Sequence, residues 1–530
     1  MLSGTRIKRV LGNLPLTAEI DWVLRGHGSP VDGFNLEELK LALPEWCRQL
    51  GSSAVTSNSR KKILVFATLH YWINHATMLS LALAGLGNQV TMAYLPYPNW
   101  KKPVSKFDLR RREAYARSVF KPAEKFVDVH SFVGRADSPL PDSLEKSIQN
   151  VSLMDTQYTL QVEDVDINSE LYQLRLERNR AAASAALAWM QNEKPDVVIL
   201  PNGLILEFGA IFHSAMYLGT PVVSYEFGEQ RDRIWLSRNT PVMLQETAAL
   251  WEAKKGDSFS DSRRQKVKDL FATRQSAGLF ENFYRRWQNQ PAQGGTSAKQ
   301  ALGLDDRPVV LLAANVIGDS LTLGRAAFTG DMSTWLKRTL RYFADRFDIQ
   351  VVVRVHPGER NLDGPSVTDL AARELPKLPS HIHIVRAEDP INTYDLIEIA
   401  DLGLVYTTTV GLEMAMSGLP VFVAGHTHYR GKGFTFDPNT WEEYFSRLTE
   451  VLSDPQSALL TENQVDEAWH YAYCFFFEYP QSFPWHLLHF WKDVEKTPLS
   501  AVISKRGLEQ FSRTFSYLLG EPFDWDINDR

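Results

Sequence analysis

Cysteine is scarce in this chain of 530 residues, which contains only Cys47 and Cys474. Two cysteines this far apart argue against a disulfide scaffold and against a cysteine-based zinc site. Long apolar runs are also missing, because no stretch approaches the roughly 20 apolar residues that a membrane-spanning helix needs. The basic N-terminus is followed by no apolar run, so no secretory signal is expected. These absences predict a protein of the reducing cytoplasm.

An excess of basic charge is missing as well. The net charge is −6, which argues against nucleic acid as a partner because nucleic-acid binders usually carry a basic domain or stripe. No Walker loop, no GxGxxG after the first predicted strand and no GxSxG elbow occurs, so kinase, dehydrogenase and hydrolase interpretations lose their usual support. No acidic DxD-like cluster follows a strand, and we predict no metal and no cofactor.

Aromatic residues are concentrated near the C-terminus, in residues 474–491 (CFFFEYPQSFPWHLLHFW). Charges and prolines interrupt this segment, so the pattern favours a buried helix or loop. A peripheral membrane contact, at the inner face of the membrane, is the alternative.

Short apolar runs alternate with helical patterns in two series, which is typical of doubly wound parallel sheets. In the first series, strands are predicted at 63–67, 89–94, 196–200 and 222–225, with helices at 75–86, 171–191 and 206–218. In the second series, strands are predicted at 309–314, 350–355, 382–385, 402–406 and 421–424, with helices at 335–347, 393–400 and 410–417.

The predicted fold class is α/β, with two Rossmann-like domains facing across a cleft. A chain of 530 residues also exceeds what one hydrophobic core usually supports. The predicted parts are a helical N-terminal extension (1–60), a first Rossmann-like domain (61–240), a helical connection (241–305), a second Rossmann-like domain (306–440) and a helical C-terminal tail (441–530).

Ligands of open α/β sheets bind beyond the carboxyl ends of the strands, which directs attention to the loops there. Thr407, Thr408 and Thr409 stand where a strand passes into a helix, so their amides and hydroxyls suit a phosphate. Glu413, one turn later, could accept hydrogen bonds from ribose hydroxyls. The alternative is structural: the threonines cap the helix and Glu413 complements its dipole.

Two further loops of the second series carry cations and histidines. Arg354 and His356 precede a Pro-Gly turn, and both side-chain types suit phosphate. The alternative for Arg354 is a pair with a carboxylate. Lys432 lies in the glycine-rich loop 425–433, for which anion contact is preferred to metal binding because His426 and His428 have no further ligands nearby.

In the first series, His70 and Glu226 follow strands and are the candidate general bases. The alternative for His70 is a histidine hydrogen-bonded beside Tyr71 and Trp72. Asn202, followed by a glycine, is interpreted as a turn residue.

The C-terminal series resembles the bacterial capsule polysaccharide biosynthesis proteins, a family that includes Kdo transferases of capsule assembly. The resemblance rests on the loop 315–320, the His356-Pro357 dyad, and the segment from Thr407 to Pro420 with Tyr429-Arg430-Gly431. It implies a nucleotide-sugar site at His356, Thr408, Thr409 and Glu413, and an acceptor bound by the first domain. A glutamine motif often found in the capsule Kdo enzymes is absent at Asn315-Val316, so CMP-Kdo, UDP-sugar and GDP-sugar donors stay open.

The sequence thus predicts a metal-independent glycosyltransferase that uses a nucleotide-sugar donor and a glycan or lipid-linked acceptor. The candidate substrate-binding residues are Asn315, Asp319, Ser320, Arg354, His356, Thr407, Thr408, Thr409, Glu413, Tyr429 and Lys432. A nucleotide-sugar epimerase, a polyol-phosphate transferase of teichoic-acid type and a non-catalytic sugar- or nucleotide-binding protein are the alternatives.

Overall fold

The computed structural model describes residues 4–24, 33–51, 60–134, 139–284, 288, 290–361 and 364–526. Its strands, in chain order, are β1 (Lys62–Thr68), β2 (Gln89–Leu95), β3 (Asp128–Ser131), β4 (Val197–Pro201), β5 (Val222–Glu226), β6 (Arg233–Arg238), β7 (Val309–Ala313), β8 (Gln350–Arg354), β9 (Ile382–Val385), β10 (Leu402–Val405), β11 (Val421–Val423) and β12 (Gln481–Ser482).

The helices up to β7 are α1 (Gly4–Asn13), α2 (Thr17–Leu24), α3 (Glu37–Gly51), α4 (His70–Gly85), α5 (Lys106–Phe120), α6 (Asp142–Leu160), α7 (Glu170–Glu193), α8 (Leu206–Tyr217), α9 (Ala248–Lys254), α10 (Asp261–Gln275) and α11 (Gly295–Leu302). The later helices are α12 (Met332–Ala344), α13 (Val367–Glu374), α14 (Thr393–Ile399), α15 (Val410–Met416), α16 (Trp441–Ser453), α17 (Glu462–Tyr473), α18 (Phe490–Lys496), α19 (Leu499–Val502) and α20 (Lys505–Leu518).

The chain divides into two compact units. The first contains residues 1–156, 166–243 and 481–523, and the second contains 157–165, 244–480 and 524–530. These bounds differ from the predicted ones because the chain returns to the first unit, where β12 pairs antiparallel with β6. The segment 241–305, expected to be a connection, contributes α9, α10 and α11 to the second unit.

The sheet of the first unit has the strand order β3-β2-β1-β4-β5-β6-β12. Strands β1 to β5 are parallel, and β1, β2, β4 and β5 are buried along most of their length, as their apolar runs predict. The order reverses between β1 and β4, so this sheet has the topological switch point of the Rossmann pattern.

The sheet of the second unit has the order β9-β8-β7-β10-β11, with every pair of neighbours parallel. Its switch point lies between β7 and β10, where Ala313 is paired with Val405. Trp335 and Leu336 of α12 and Tyr444 of α16 belong to the buried core of this sheet. The predicted fold class, two Rossmann-like α/β units with helical N-terminal and C-terminal segments, is confirmed.

Three strands and one helix start differ from expectation. Strands β3, β6 and β12 were not predicted; β3 and β12 are short, and β6 mixes half-buried arginines with apolar residues. Helix α4 begins at His70 instead of residue 75, because Leu69 adopts a left-handed φ of 64° that turns the chain directly from strand into helix. His70 is therefore in the first turn of a helix.

The aromatic segment 474–491 is largely interior. Phe475, Tyr479, Phe483, Trp485 and Phe490 are all at most 5% exposed, so burial accounts for most of this composition. Among the residues described, no helix combines the length and apolarity that crossing a bilayer demands.

Candidate functional site

Residues that the sequence placed at strand ends meet at the switch point of the second sheet. The backbone N–H of Thr407, which follows β10, donates to Oδ1 of Asn315, which follows β7, at 3.1 Å. The Thr407 hydroxyl donates to the carbonyl of Leu321, so both loops are fixed to each other. Asn315 and Thr407 are buried, and Asn315 acts as a positioning residue for the turn.

The turn that follows Thr407 has unused donors. Within the described residues, the backbone N–H groups of Thr408 and Thr409 donate to no protein acceptor. Thr408 is 8% exposed, and buried amides are almost always hydrogen-bonded in native proteins. Helix α15 has only seven residues, so these amides matter more for an anion than the helix dipole does.

Tyr429 holds this turn from the other side. It is fully buried, and its hydroxyl donates to the carbonyl of Thr408 at 2.6 Å. The hydroxyl of Thr427 donates to the carbonyl of Thr407 at 3.2 Å. Tyr429 was predicted to bind substrate; the structure instead commits its hydroxyl to the backbone, because the loop after β11 folds over the turn after β10.

Glu413 also has an internal partner. Its Oε1 accepts a hydrogen bond from Nη1 of Arg274 at 3.1 Å, and both side chains are at most 9% exposed. Burial and the charge of Glu413 raise the pKa of the neighbouring Tyr394. A ribose at Glu413 would therefore share a carboxylate that already compensates a buried arginine.

Arg354 differs from its predicted role. It is buried, and it donates to the carbonyl of Arg386 at 2.8 Å and to the Thr393 hydroxyl at 3.4 Å. Burial lowers its pKa to about 10. The side chain thus joins the end of β8 to the segment after β9, and the charge of Asp389 partly offsets the effect of burial.

His356 is half-buried in the turn after β8. Its Nδ1 accepts a hydrogen bond from the N–H of Gly358 at 3.0 Å, which places the proton of the neutral ring on Nε2. A Cβ at Gly358 would lie 2.9 Å from that Nδ1, so glycine is needed for the close approach. The turn therefore fixes the orientation of the imidazole ring.

Asp319 and Ser320 lie in the loop after β7, and both are half-buried. The hydroxyl of Ser320 donates to Oδ1 of Asp319 at 3.3 Å, and the carbonyl of Asp319 accepts from the N–H groups of Thr322 and Leu323. The pair stabilises the loop and remains a predicted substrate contact.

A pocket of about 480 Å³ lies in the second unit next to the loop after β11. It is lined by Leu244, Gln245, Glu246, Thr247, Ala248, Gly324, His426, Thr427, His428, Arg430, Gly431 and Lys432. Lys432 is half-buried, its Nζ lies 5.8 Å from the centre of the Tyr471 ring, and within the described part of the chain no carboxylate pairs with it. Burial lowers its pKa. A cation of this kind suits an anionic ligand.

The lining of the same pocket also contains buried polar groups. Gln245 is 5% exposed with a left-handed φ of 53°, and its Oε1 lies 3.5 Å from Nη2 of Arg325. The carbonyl of His428 accepts from the hydroxyls of Thr247 and Tyr471, at 2.8 and 2.6 Å. Backbone strain of this type is concentrated at functional sites.

At the switch point of the first sheet, polar groups follow β1, β4 and β5. Asn202, after β4, has a left-handed φ of 61°; its Oδ1 accepts from the N–H groups of Leu204 and Ile205, and its Nδ2 lies 3.4 Å from Oε2 of Glu226. Burial raises the pKa of Glu226 to about 7, although the N–H of Phe227 and Asn202 stabilise its charge. A carboxylate that titrates near neutrality suits a general base.

His70 lies at the same edge, after β1. Burial lowers its pKa, and its buried Nδ1 has no hydrogen-bond partner among the residues described. Its ring contacts Tyr71 edge-on, with ring centroids 5.3 Å apart. His70 and Glu226 stand two strands apart, which is about 10 Å at the usual spacing of neighbouring strands.

Some site residues were missed by sequence reasoning. Arg274 is 139 positions from Glu413, and no local signal pairs them. Gln245 stands in a segment that seemed a connection. Asn202 was noticed only as a turn residue, although a side chain that bonds nearby amides is the reason asparagine suits such a turn. In the described ranges, no group of three or more side chains could hold a metal ion.

Residues 247–460, about two fifths of the chain, match the model of a family described as capsule polysaccharide biosynthesis protein. The predicted resemblance is confirmed for this segment. It contains the turn after β10, His356, Glu413 and the pocket around Lys432.

Solved structures similar to this chain include two KpsC proteins of Thermosulfurimonas dismutans. The beta Kdo 2,4 transferase is 16% identical with a TM-score of 0.35, covering 55% of this chain and 83% of that one. The beta Kdo 2,7 transferase is 14% identical with a TM-score of 0.32, covering 56% and 82%. A UDP-GlcNAc 2-epimerase from Neisseria meningitidis, bound to UDP-GlcNAc, is 12% identical with a TM-score of 0.26, covering 79% and 99%. These scores are low, so no residue role is taken from them. A sequence comparison with curated proteins gives no match.

Proposed function

We propose that this protein is a glycosyltransferase that moves a sugar from a nucleotide-activated donor to a glycan or lipid-linked acceptor in surface polysaccharide biosynthesis. The observation that carries the proposal is the pair of unused amides at Thr408 and Thr409, placed at a topological switch point. The family match of residues 247–460 supports the same pathway class.

The second unit binds the donor. The N–H groups of Thr408 and Thr409 receive the phosphate of the leaving nucleotide, as donors fixed before the reaction begins. Lys432 adds positive charge from the neighbouring pocket, and the Nε2 proton of His356 is a further donor. Fixed donors aimed at developing charge are often the largest contribution to catalysis.

The first unit binds the acceptor and removes its proton. Glu226 is the preferred base because its pKa lies near 7, where a base is both ionised and able to take a proton. His70 is the second candidate, because burial lowers its pKa and its Nδ1 has no partner among the described residues. In this proposal the reaction uses no metal, and the protein is cytoplasmic.

A panel of nucleotide sugars, each incubated with and without candidate glycan acceptors, tests the proposal by measuring nucleotide release. Release that depends on the acceptor is expected. Conversion of the sugar without an acceptor identifies an epimerase, release of a nucleotide with transfer of a polyol phosphate identifies the teichoic-acid type of enzyme, and tight binding without turnover identifies a binding protein. Each of these three results overturns the transferase.

A further inference from the structure

The first two helices expose an unusual number of large apolar side chains. In α1, α2 and the turn between them, six such residues are 44 to 80% exposed: Val10, Leu14, Leu16, Ile20, Val23 and Leu24. Elsewhere in the described chain, exposed large apolar residues are scattered. We call these six residues the N-terminal apolar face. Contiguous apolar surface on a folded protein usually marks an interaction site.

The spacing shows that this exposure is organised. Ile20, Val23 and Leu24 of α2 stand at positions i, i+3 and i+4, which form one stripe along a helix. Leu16, also exposed, lies directly before the helix. Ala18 and Trp22 of the same helix are buried, at 0 and 8% exposure. Helix α2 therefore has two apolar sides, one packed inward and the other presented outward.

The acidic residues of α2 do not interrupt the outer stripe, because they face α5. Glu19 forms an ion pair with Arg110, and Asp21 forms one with Arg111 at 2.9 Å. Arg110 also donates to the carbonyl of Leu14 at 2.6 Å. These bonds hold the helix so that the stripe stays exposed.

Basic residues are concentrated in the chain segments that carry and adjoin the apolar face. Residues 4–24 and 101–120, which contain α1, α2 and α5, hold ten Lys and Arg against four Asp and Glu, a net charge of +6 in a chain whose total is −6. Lys101, Lys102, Lys106 and Arg117 are exposed. Apolar residues flanked by Lys and Arg are the pattern of segments that lie in the interface of an anionic membrane.

We infer that the N-terminal apolar face docks this protein onto an anionic lipid surface. The positive charge of these segments favours a bilayer over a second copy of the chain or nucleic acid. A second copy meeting this one through the same patch would bring two basic surfaces together, which is unfavourable. Nucleic acid would use the cations but not the apolar stripe. A bilayer with acidic headgroups uses both.

Vesicle co-sedimentation of the full chain tests the inference. We expect binding to vesicles of phosphatidylcholine with phosphatidylglycerol, little binding to phosphatidylcholine alone, and weaker binding at high salt. Ile20→Ser combined with Val23→Ser and Leu24→Ser should lower the affinity by about tenfold or more. Ile20→Leu with Val23→Leu, the matched control, should leave it unchanged. Lys101→Glu with Lys102→Glu should lower binding through charge alone.

Retained binding of the triple serine variant overturns the inference, as does equal binding to both vesicle types. Light scattering on the same samples tests whether the face instead binds a second copy of the chain. If the parent is a dimer and the triple serine variant is a monomer, the face is a dimer interface. The substituted side chains are exposed, so melting temperatures should stay close to the parent value. Nucleotide binding does not enter the assay, so its result is independent of the proposed transferase.

Discussion

Arg274 and Glu413 form a buried ion pair in which both side chains are at most 9% exposed and 3.1 Å separates Nη1 from Oε1. The guanidinium of Arg274 also lies 5.2 and 4.7 Å from the ring centres of Phe271 and Phe476. An arginine in such surroundings depends on its carboxylate, and this dependence changes how any variant of Glu413 must be interpreted.

Glu413→Ala should unfold more easily, because it leaves the buried Arg274 charge uncompensated. Removing one partner of a buried pair typically costs about 3–5 kcal/mol. Chemical denaturation measures the loss. The double variant Arg274→Met with Glu413→Leu should recover much of the stability, since apolar side chains of similar volume replace both charges. If the double variant is stable and still binds nucleotide with the parent affinity, Glu413 makes no ribose contact.

Thr409→Pro should weaken nucleotide binding without unfolding the protein. The φ of Thr409 is −62°, which proline adopts, and the N–H that is lost donates to no described protein acceptor. A hydrogen bond to a charged group is worth about 1.5–3 kcal/mol, so the affinity should fall about tenfold to a hundredfold. Titration calorimetry measures this, and Thr409→Ala, which keeps the N–H, is the control. Equal nucleotide affinities for the proline variant and the parent would show that the phosphate does not bind at this turn.

His356→Asn should distinguish the role of Nδ1 from that of Nε2 in this histidine. The Asn side-chain oxygen can replace Nδ1 as the acceptor for the N–H of Gly358, while the donor at Nε2 is lost. We expect an unchanged melting temperature and weaker nucleotide binding. His356→Ala should lower both, because it also leaves the Gly358 amide without its partner. Parent-like affinity in the Asn variant would limit His356 to holding the turn.

The pH dependence of activity should report Glu226. Transfer needs its ionised form, so the rate should rise with pH and level off above about 7, and Glu226→Gln should be slower by about 10²–10⁴-fold with no such limb. If Glu226→Gln keeps the pH profile of the parent, His70 is the general base.

Stability should respond to the same group with the opposite sign. The pKa of Glu226 is raised on folding, to about 7, so the folded protein holds a proton that the unfolded chain releases. The protonated carboxyl of Glu226 contributes to the stability of the folded protein at low pH, and this contribution is lost as the pH rises through about 7. Glu226→Gln should therefore gain stability relative to the parent between about pH 5 and about pH 8. Paired thermal melts measure the difference, and a constant difference would contradict the raised pKa.

The fold was largely predictable because strands buried on both faces leave continuous apolar runs, such as Ile63–Ala67 and Val309–Ala313. The order of those strands then brings Asn315 and Thr407 together, as the strand-end rule predicts. What the sequence could not supply is which polar side chains are already used. Arg354 and Tyr429 have the chemistry of ligand-binding residues, yet they bond backbone carbonyls that are brought near only by tertiary packing.

Strand β12 adds its two residues to the first sheet only after the chain has passed through the second unit. On the ribosome, residues 244–480 therefore emerge before the edge of the first sheet can be completed. The first unit, although it begins the chain, is the last to finish folding, whereas domains usually mature in the order of synthesis. Until residues 481–523 arrive, the nascent protein exposes the edge at β6, and an unpaired strand edge is a template for aggregation.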